Sequence, residues 1–131
     1  VDVAALIAWL LTAAAGVHLL SRLVRDGGLR GPAAKVTRHP LLLLGGHPPA
    51  ALAGFVLWAV HLTTGTRWCA WAAFAVLVAT ALQGFVLFTR WLVGHDGRHA
   101  RGATFPAAAV LIHGLGAALT LVLVLATAVR A

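Results

Sequence analysis

The chain has 131 residues, 61% of them hydrophobic, with a mean hydropathy of +0.94 and only three acidic side chains. That composition excludes an ordinary water-soluble domain, and the length limits the chain to one small unit. A net charge of +7 and a pI near 11.9 raise nucleic acid as a partner, but no aromatic residues interleave the basic clusters to stack bases.

In chain order, helices are predicted over residues 3–25, 40–63, 68–92 and 106–129. Each is about the 20 residues that a bilayer crossing needs. The fold class expected is all-α: an integral membrane, up-and-down four-helix bundle forming a single transmembrane domain over 1–131. The first helix carries Trp9, Gly16, His18 and Arg22. It has no basic n-region and so reads as a span rather than a cleaved leader. Arg22 opens a basic connection that continues with Arg25, Arg30, Lys35 and Arg38, and His39 lies at its end.

Pro40 suits the start of the second helix, where a missing N–H costs nothing. Gly45, Gly46 and His47 follow, and then Pro48 and Pro49, which are expected to bend or loosen the helix beside His47. Trp58 and His61 lie further along, and the connection from Thr63 to Arg67 has a single basic residue. The third helix holds Cys69, Gln83, Gly84 and Arg90. A lone cysteine excludes an internal disulfide. Gln83 reads as an interhelical hydrogen-bonding residue, with a cofactor contact left open. The second basic loop has Arg98 and Arg101, and His95 and His99 there form a weak metal pair at most. The fourth helix starts at Pro106 and carries His113, Gly114, Gly116 and Thr127. The positive-inside rule places the two basic loops in the cytoplasm and both termini outside, giving a multi-pass protein of the cell membrane whose loops touch anionic lipid.

Histidines inside such helices are functional by default, because an imidazole in hydrocarbon has no water to bond. Two stand in matched places: Pro40 to His47 and Pro106 to His113 span the same seven residues. Gly16 to Arg22 aligns with Gly84 to Arg90, and Thr12 with Thr80 at the same offset. This predicts two pseudo-repeated helical hairpins, about 1–66 and 67–131, with His47 and His113 at one depth. Gly16, Gly45, Gly46, Gly84, Gly114 and Gly116 gather near that depth. They indicate close helix packing or room for a flat ligand such as a porphyrin.

In this layout the chain resembles the four-helix haem-binding core of the membrane cytochrome b proteins. His47 and His61 are 14 residues apart on the second helix, His113 is on the fourth, and Gly16 and Gly84 are on the first and third. The resemblance is one of spacing, and it implies haem b, axial imidazoles from His47 and His113, and single-electron transfer with quinone or a partner redox protein. The chain departs from the pattern fourteen residues after His113, where Thr127 stands in place of a histidine. One haem b in the cytoplasmic half is therefore expected. His61 is left as an interfacial hydrogen-bonding residue or a ligand of a second haem completed by another chain. Arg22 and Arg90 are candidates to hold the propionates. With no methionine and no tyrosine present, a bis-imidazole pair is the strongest iron ligation that the interior offers.

His18 lies near the depth of His47 and His113, and it supports a rival reading in which the three bind Zn or Cu. His18 could also serve as an alternative axial ligand or bond a propionate or quinone oxygen. A third reading is a structural membrane subunit whose histidines only knit helices. Homodimerisation through glycine faces is left open. No catalytic signature is present, and Asp2, Asp26 and Asp96 are the only carboxylates, which excludes paired-carboxylate chemistry.

Overall fold

The computed structural model describes residues 1–25, 41–95 and 106–131, which form four helices and no strand among the described residues. They are α1 (Asp2–Arg25), α2 (Leu41–Thr64), α3 (Arg67–His95) and α4 (Ala107–Arg130). Each contains a stretch long and apolar enough to cross a membrane, and 24 residues of helix extend about 36 Å. The expected bounds hold to within three residues. Arg30, Lys35, Arg38, His39, Pro40, Arg98, His99 and Arg101 lie outside the described residues.

Local chemistry fixes the helix ends. Asp2 occupies the first turn of α1, and Arg22 and Arg25 the last, so each charge complements the helix dipole. The link from α2 to α3 is a two-residue turn in which Gly65 takes φ 68°, a left-handed conformation that glycine adopts without steric cost. Gly65 N–H donates to His61 O at 2.8 Å, and Thr64 Oγ1 accepts from Thr66 N–H at 3.2 Å. Pro106 is the N-cap of α4, and its carbonyl accepts from Ala109 N–H at 2.9 Å. α2 runs unbroken through Pro48 and Pro49, although each proline removes a backbone donor. Both prolines are exposed residues, and Pro48 also lines the cavity described below.

Successive helices run in opposite directions. α1 packs along α4 and α2 along α3, α3 meets α4 less extensively, and α1 barely touches α2. The tight pairs are thus first with fourth and second with third, and each is antiparallel: Asp2 meets Thr127 and Gly16 meets His113, while Gly54 meets Val76 and Gly84 meets His47. The interior is built largely from small residues, with Ala5, Ala70, Ala73 and Ala128 fully buried, and the exterior carries Leu11, Val17, Leu52, Ile112 and Leu115. Small residues inside and large apolar ones outside are the pattern of helices that associate by close packing rather than by escape from water.

The half of the bundle at the α2–α3 turn is solid. Trp58 is fully buried and Trp9 nearly so, together with Ala5, Leu77, Val124 and Ala128. Trp9 reaches across to α2, where its ring sits 3.2 Å from the Cβ position of Gly54 and meets Phe55 edge-on at 6.0 Å. Replacing Trp58 with alanine should cost about 3–5 kcal/mol of unfolding free energy. Reversible unfolding in SDS measures that loss, and a loss below about 1 kcal/mol would show that this half is not the packing core.

Candidate functional site

The opposite half of the bundle holds a partly open cavity of about 720 Å³. Thr12 and Gly16 of α1, His47 of α2, Thr80 and Gly84 of α3 and His113 of α4 line it, and nearly all the remaining wall is leucine, alanine, valine and phenylalanine. The imidazoles of His47 and His113 are brought together across this space, with ring centres 6.1 Å apart and planes at 69°.

His113 is held by the backbone of α1. Its Nδ1–H donates to the carbonyl oxygen of Thr12 at 2.9 Å, and because a carbonyl only accepts, this contact fixes the tautomer and leaves the lone pair on Nε2. A carbonyl inside a helix is already bonded to the N–H four residues on, here that of Gly16. The ring reaches it because Gly16 has no side chain: a Cβ there would lie 2.9 Å from His113 Cε1 and 3.3 Å from Nδ1. The hydroxyl of Thr12 turns back to Ala8 O at 2.8 Å and lies 3.4 Å from Thr120 Oγ1. Gly116 makes room for that hydroxyl, since a Cβ on Gly116 would meet Thr12 Oγ1 at 2.5 Å.

The α2/α3 seam repeats the arrangement with one difference. The His47 ring lies against Gly84, whose Cβ position is 3.1 Å from His47 Cε1. The Thr80 hydroxyl donates to Val76 O at 2.8 Å, as Thr12 does to Ala8. The Thr80 backbone neighbours His47 but does not reach hydrogen-bond geometry, so His47 Nδ1 is buried without a partner. Such an atom costs about 1–3 kcal/mol if nothing completes it. Gln83 Oε1 in the same seam is likewise buried and unpartnered.

The other expected site residues take different positions. His18 is exposed on the outer surface of α1, where its carbonyl accepts from Ser21 Oγ at 2.8 Å. It does not join His47 and His113, and no group of three or more potential metal ligands forms among the described residues. Arg22 and Arg90 are exposed at the basic ends of α1 and α3, and neither lines the cavity. His61 is buried at the far end, bonded through Nδ1 to Thr66 O at 3.2 Å and stacked obliquely on Trp58 at 5.3 Å. Thr127 donates to Asp2 Oδ1 at 2.9 Å.

Two features were not legible at this detail in the sequence. Gly16 and Gly84 clear space for the imidazoles themselves, and Gly45 and Gly114, like the turn residue Gly65, have open space around them. The carbonyl role of Thr12 also escaped notice. Its signal is the matched pair Thr12-x-x-x-Gly16 and Thr80-x-x-x-Gly84, which sets an acceptor one turn before a gap. Comparison with protein-family models, curated proteins and solved structures returns no match for this chain.

Gly16→Ala should displace the His113 ring and break its bond to Thr12, lowering stability by about 1–3 kcal/mol. Gly45→Ala and Gly114→Ala meet nothing within 4 Å and should be neutral. Thermal or SDS unfolding of the three variants separates the cases, and equal stability of all three would remove the assigned role of Gly16.

Proposed function

We propose that this chain is a membrane-embedded b-type cytochrome that moves single electrons through one haem b held by His47 and His113. The observation that carries the reading is the pair of imidazoles 6.1 Å apart in an apolar cavity of about 720 Å³. Metal–nitrogen bonds of about 2 Å on both sides would set two ligand rings about 6 Å apart. Cofactor sites are commonly apolar spaces of about 300–1,000 Å³ with few polar groups.

The donor chemistry fits as well. His113 already gives its Nδ1–H to a carbonyl, the arrangement that orients a ligating imidazole and raises its basicity. His47 has a buried Nδ1 still seeking an acceptor. When bound, the haem supplies a reversible one-electron ferric–ferrous couple. Two imidazole ligands saturate the metal, which suits electron exchange with quinone or a redox partner and leaves no place for a substrate to coordinate. The largely apolar lining disfavours water in the site. Arg22 and Arg90, six residues beyond Gly16 and Gly84 and so about 9 Å along the axis, are the proposed partners of carboxylates reaching the basic surface. In this reading that surface faces the cytoplasm, and the exposed leucines and valines face lipid.

The filled half supports a single haem. Trp9 and Trp58 occupy the space that a second macrocycle would need, and α4 offers Thr127, bonded to Asp2, where a partner for His61 would stand. Among the described residues a rival metal site has only the imidazoles of His47 and His113, because His18 is exposed on the outer surface of α1.

Purification after expression with haem available tests the proposal. The expected result is a Soret band, a reduced α band and one haem per chain. His47→Ala and His113→Ala should each abolish or shift the α band, whereas His18→Ala and His61→Ala should leave it in place. A colourless, folded protein would sink the haem reading, and tight stoichiometric Zn or Cu binding lost with His47 would replace it.

A further inference from the structure

The two halves of the bundle differ at one polar position beside the site. In the α1/α4 seam, Ala15 precedes Gly16 and Ile112 precedes His113; in the α2/α3 seam, Gln83 precedes Gly84 and Gly46 precedes His47. The alanine before the glycine is thereby exchanged for an amide, and the isoleucine before the histidine, exposed on the outside of α4, for a glycine. Gln83 Oε1 lies 4.0 Å from the Cβ position of Gly46, and the His47 ring lies against Gly84. The dipeptides Gly46-His47 and Gln83-Gly84 thus pack reciprocally across the seam.

Hydrogen bonding differs at the same place. His113 Nδ1 is satisfied by Thr12 O at 2.9 Å, while His47 Nδ1 and Gln83 Oε1 are both buried and both unpartnered. One is an acceptor, and the other is a donor in the tautomer that leaves Nε2 free. Buried polar groups are rarely left unpaired when a complementary group lies on the facing residue pair. Rotation of the glutamine between staggered side-chain conformers is the adjustment that would join them.

We propose that Gln83 is a positioning residue for His47: its carboxamide oxygen accepts the His47 Nδ1–H, doing for this ring what the Thr12 carbonyl does for His113. The consequence for electron transfer rests on the haem reading above. An acceptor on Nδ1–H raises the basicity of a ligating imidazole and stabilises the ferric state, so the bond lowers the midpoint potential. One ligand is then oriented by backbone and the other by a replaceable side chain, and the second sets the potential.

The test uses the full chain in detergent, as wild type, Gln83→Leu and Gln83→Glu. Three quantities are read: haem per chain, midpoint potential, and the His47 Nδ1–H resonance in ¹⁵N-histidine-labelled protein prepared without haem. Gln83→Leu should keep the haem stoichiometry, raise the midpoint potential, and move the His47 resonance upfield while that of His113 stays. Gln83→Glu retains a side-chain acceptor and should keep the His47 resonance in the bonded range. If Gln83→Leu changes neither the potential nor the resonance, the proposal is overturned and the Thr80 carbonyl is the partner. Should Gln83→Leu fail to fold, Gln83→Ala takes its place: a His47 resonance unchanged from wild type overturns the proposal, and one moved upfield supports it. Absence of haem from the wild type would defeat the cytochrome reading alone, because the resonance of the haem-free chain still decides the role of Gln83.

Discussion

An imidazole buried between apolar helices must give its N–H to an acceptor, and a helix offers one only where a carbonyl is uncovered. The site depends on that constraint. Thr12 O is reached by His113 because the residue one turn later is Gly16, and the threonine hydroxyl is kept out of the way by bonding to Ala8 O. Close approach of α1 to α4 follows from the same contact, since Gly116 receives the Thr12 hydroxyl and Thr120 lies beside it. Packing and polar satisfaction are therefore one arrangement here: a methyl group at Gly16 would disturb both.

The packing of an imidazole on a glycine, used twice, accompanies the two tight helix pairs, α1 with α4 and the consecutive α2 with α3, whereas α1 barely touches α2. In each tight pair a histidine helix packs on a Thr-x-x-x-Gly helix, and the two pairs present their imidazoles to each other. Relaxed contact between α1 and α2 follows, because the seam between them holds no such contact along the cavity. What joins them is Trp9 over Gly54 and Phe55 in the solid half.

Much of this was legible in the sequence. Helix number and bounds followed from apolar run length, and the depth of His47 and His113 followed from their matched spacing to Pro40 and Pro106. Burial direction was harder to read. His18 is two residues after Gly16, about 200° around a helix of 3.6 residues per turn, so facing Gly16 inward turns His18 outward. Arg22 falls off the lining face for the same reason, and Leu23, seven residues after Gly16, is buried in its place. Depth is linear in sequence and survives inspection of spacing, whereas face is angular and needs one fixed contact as reference. The pairing of helices was less legible still. It depends on side-chain volumes summed along two seams, such as His113 on Gly16 and Thr12 on Gly116 against His47 on Gly84, and no single residue announces it.

The asymmetry between the halves is as consequential as their likeness. At the sequence offsets that align Gly16 with Gly84 and His47 with His113, Trp9 corresponds to Leu77, and Trp58 and His61 to Val124 and Thr127; the larger or more polar residue of each pair fills or closes the far half. Trp58 is fully buried there, and His61 bonds the turn that begins α3. Indoles make that half a rigid anchor, in which tight packing resists rearrangement. The remaining cavity is thereby left bounded by one fixed end and four helices whose positions are set by two histidine contacts, so its shape is determined by the same imidazoles that give it chemistry.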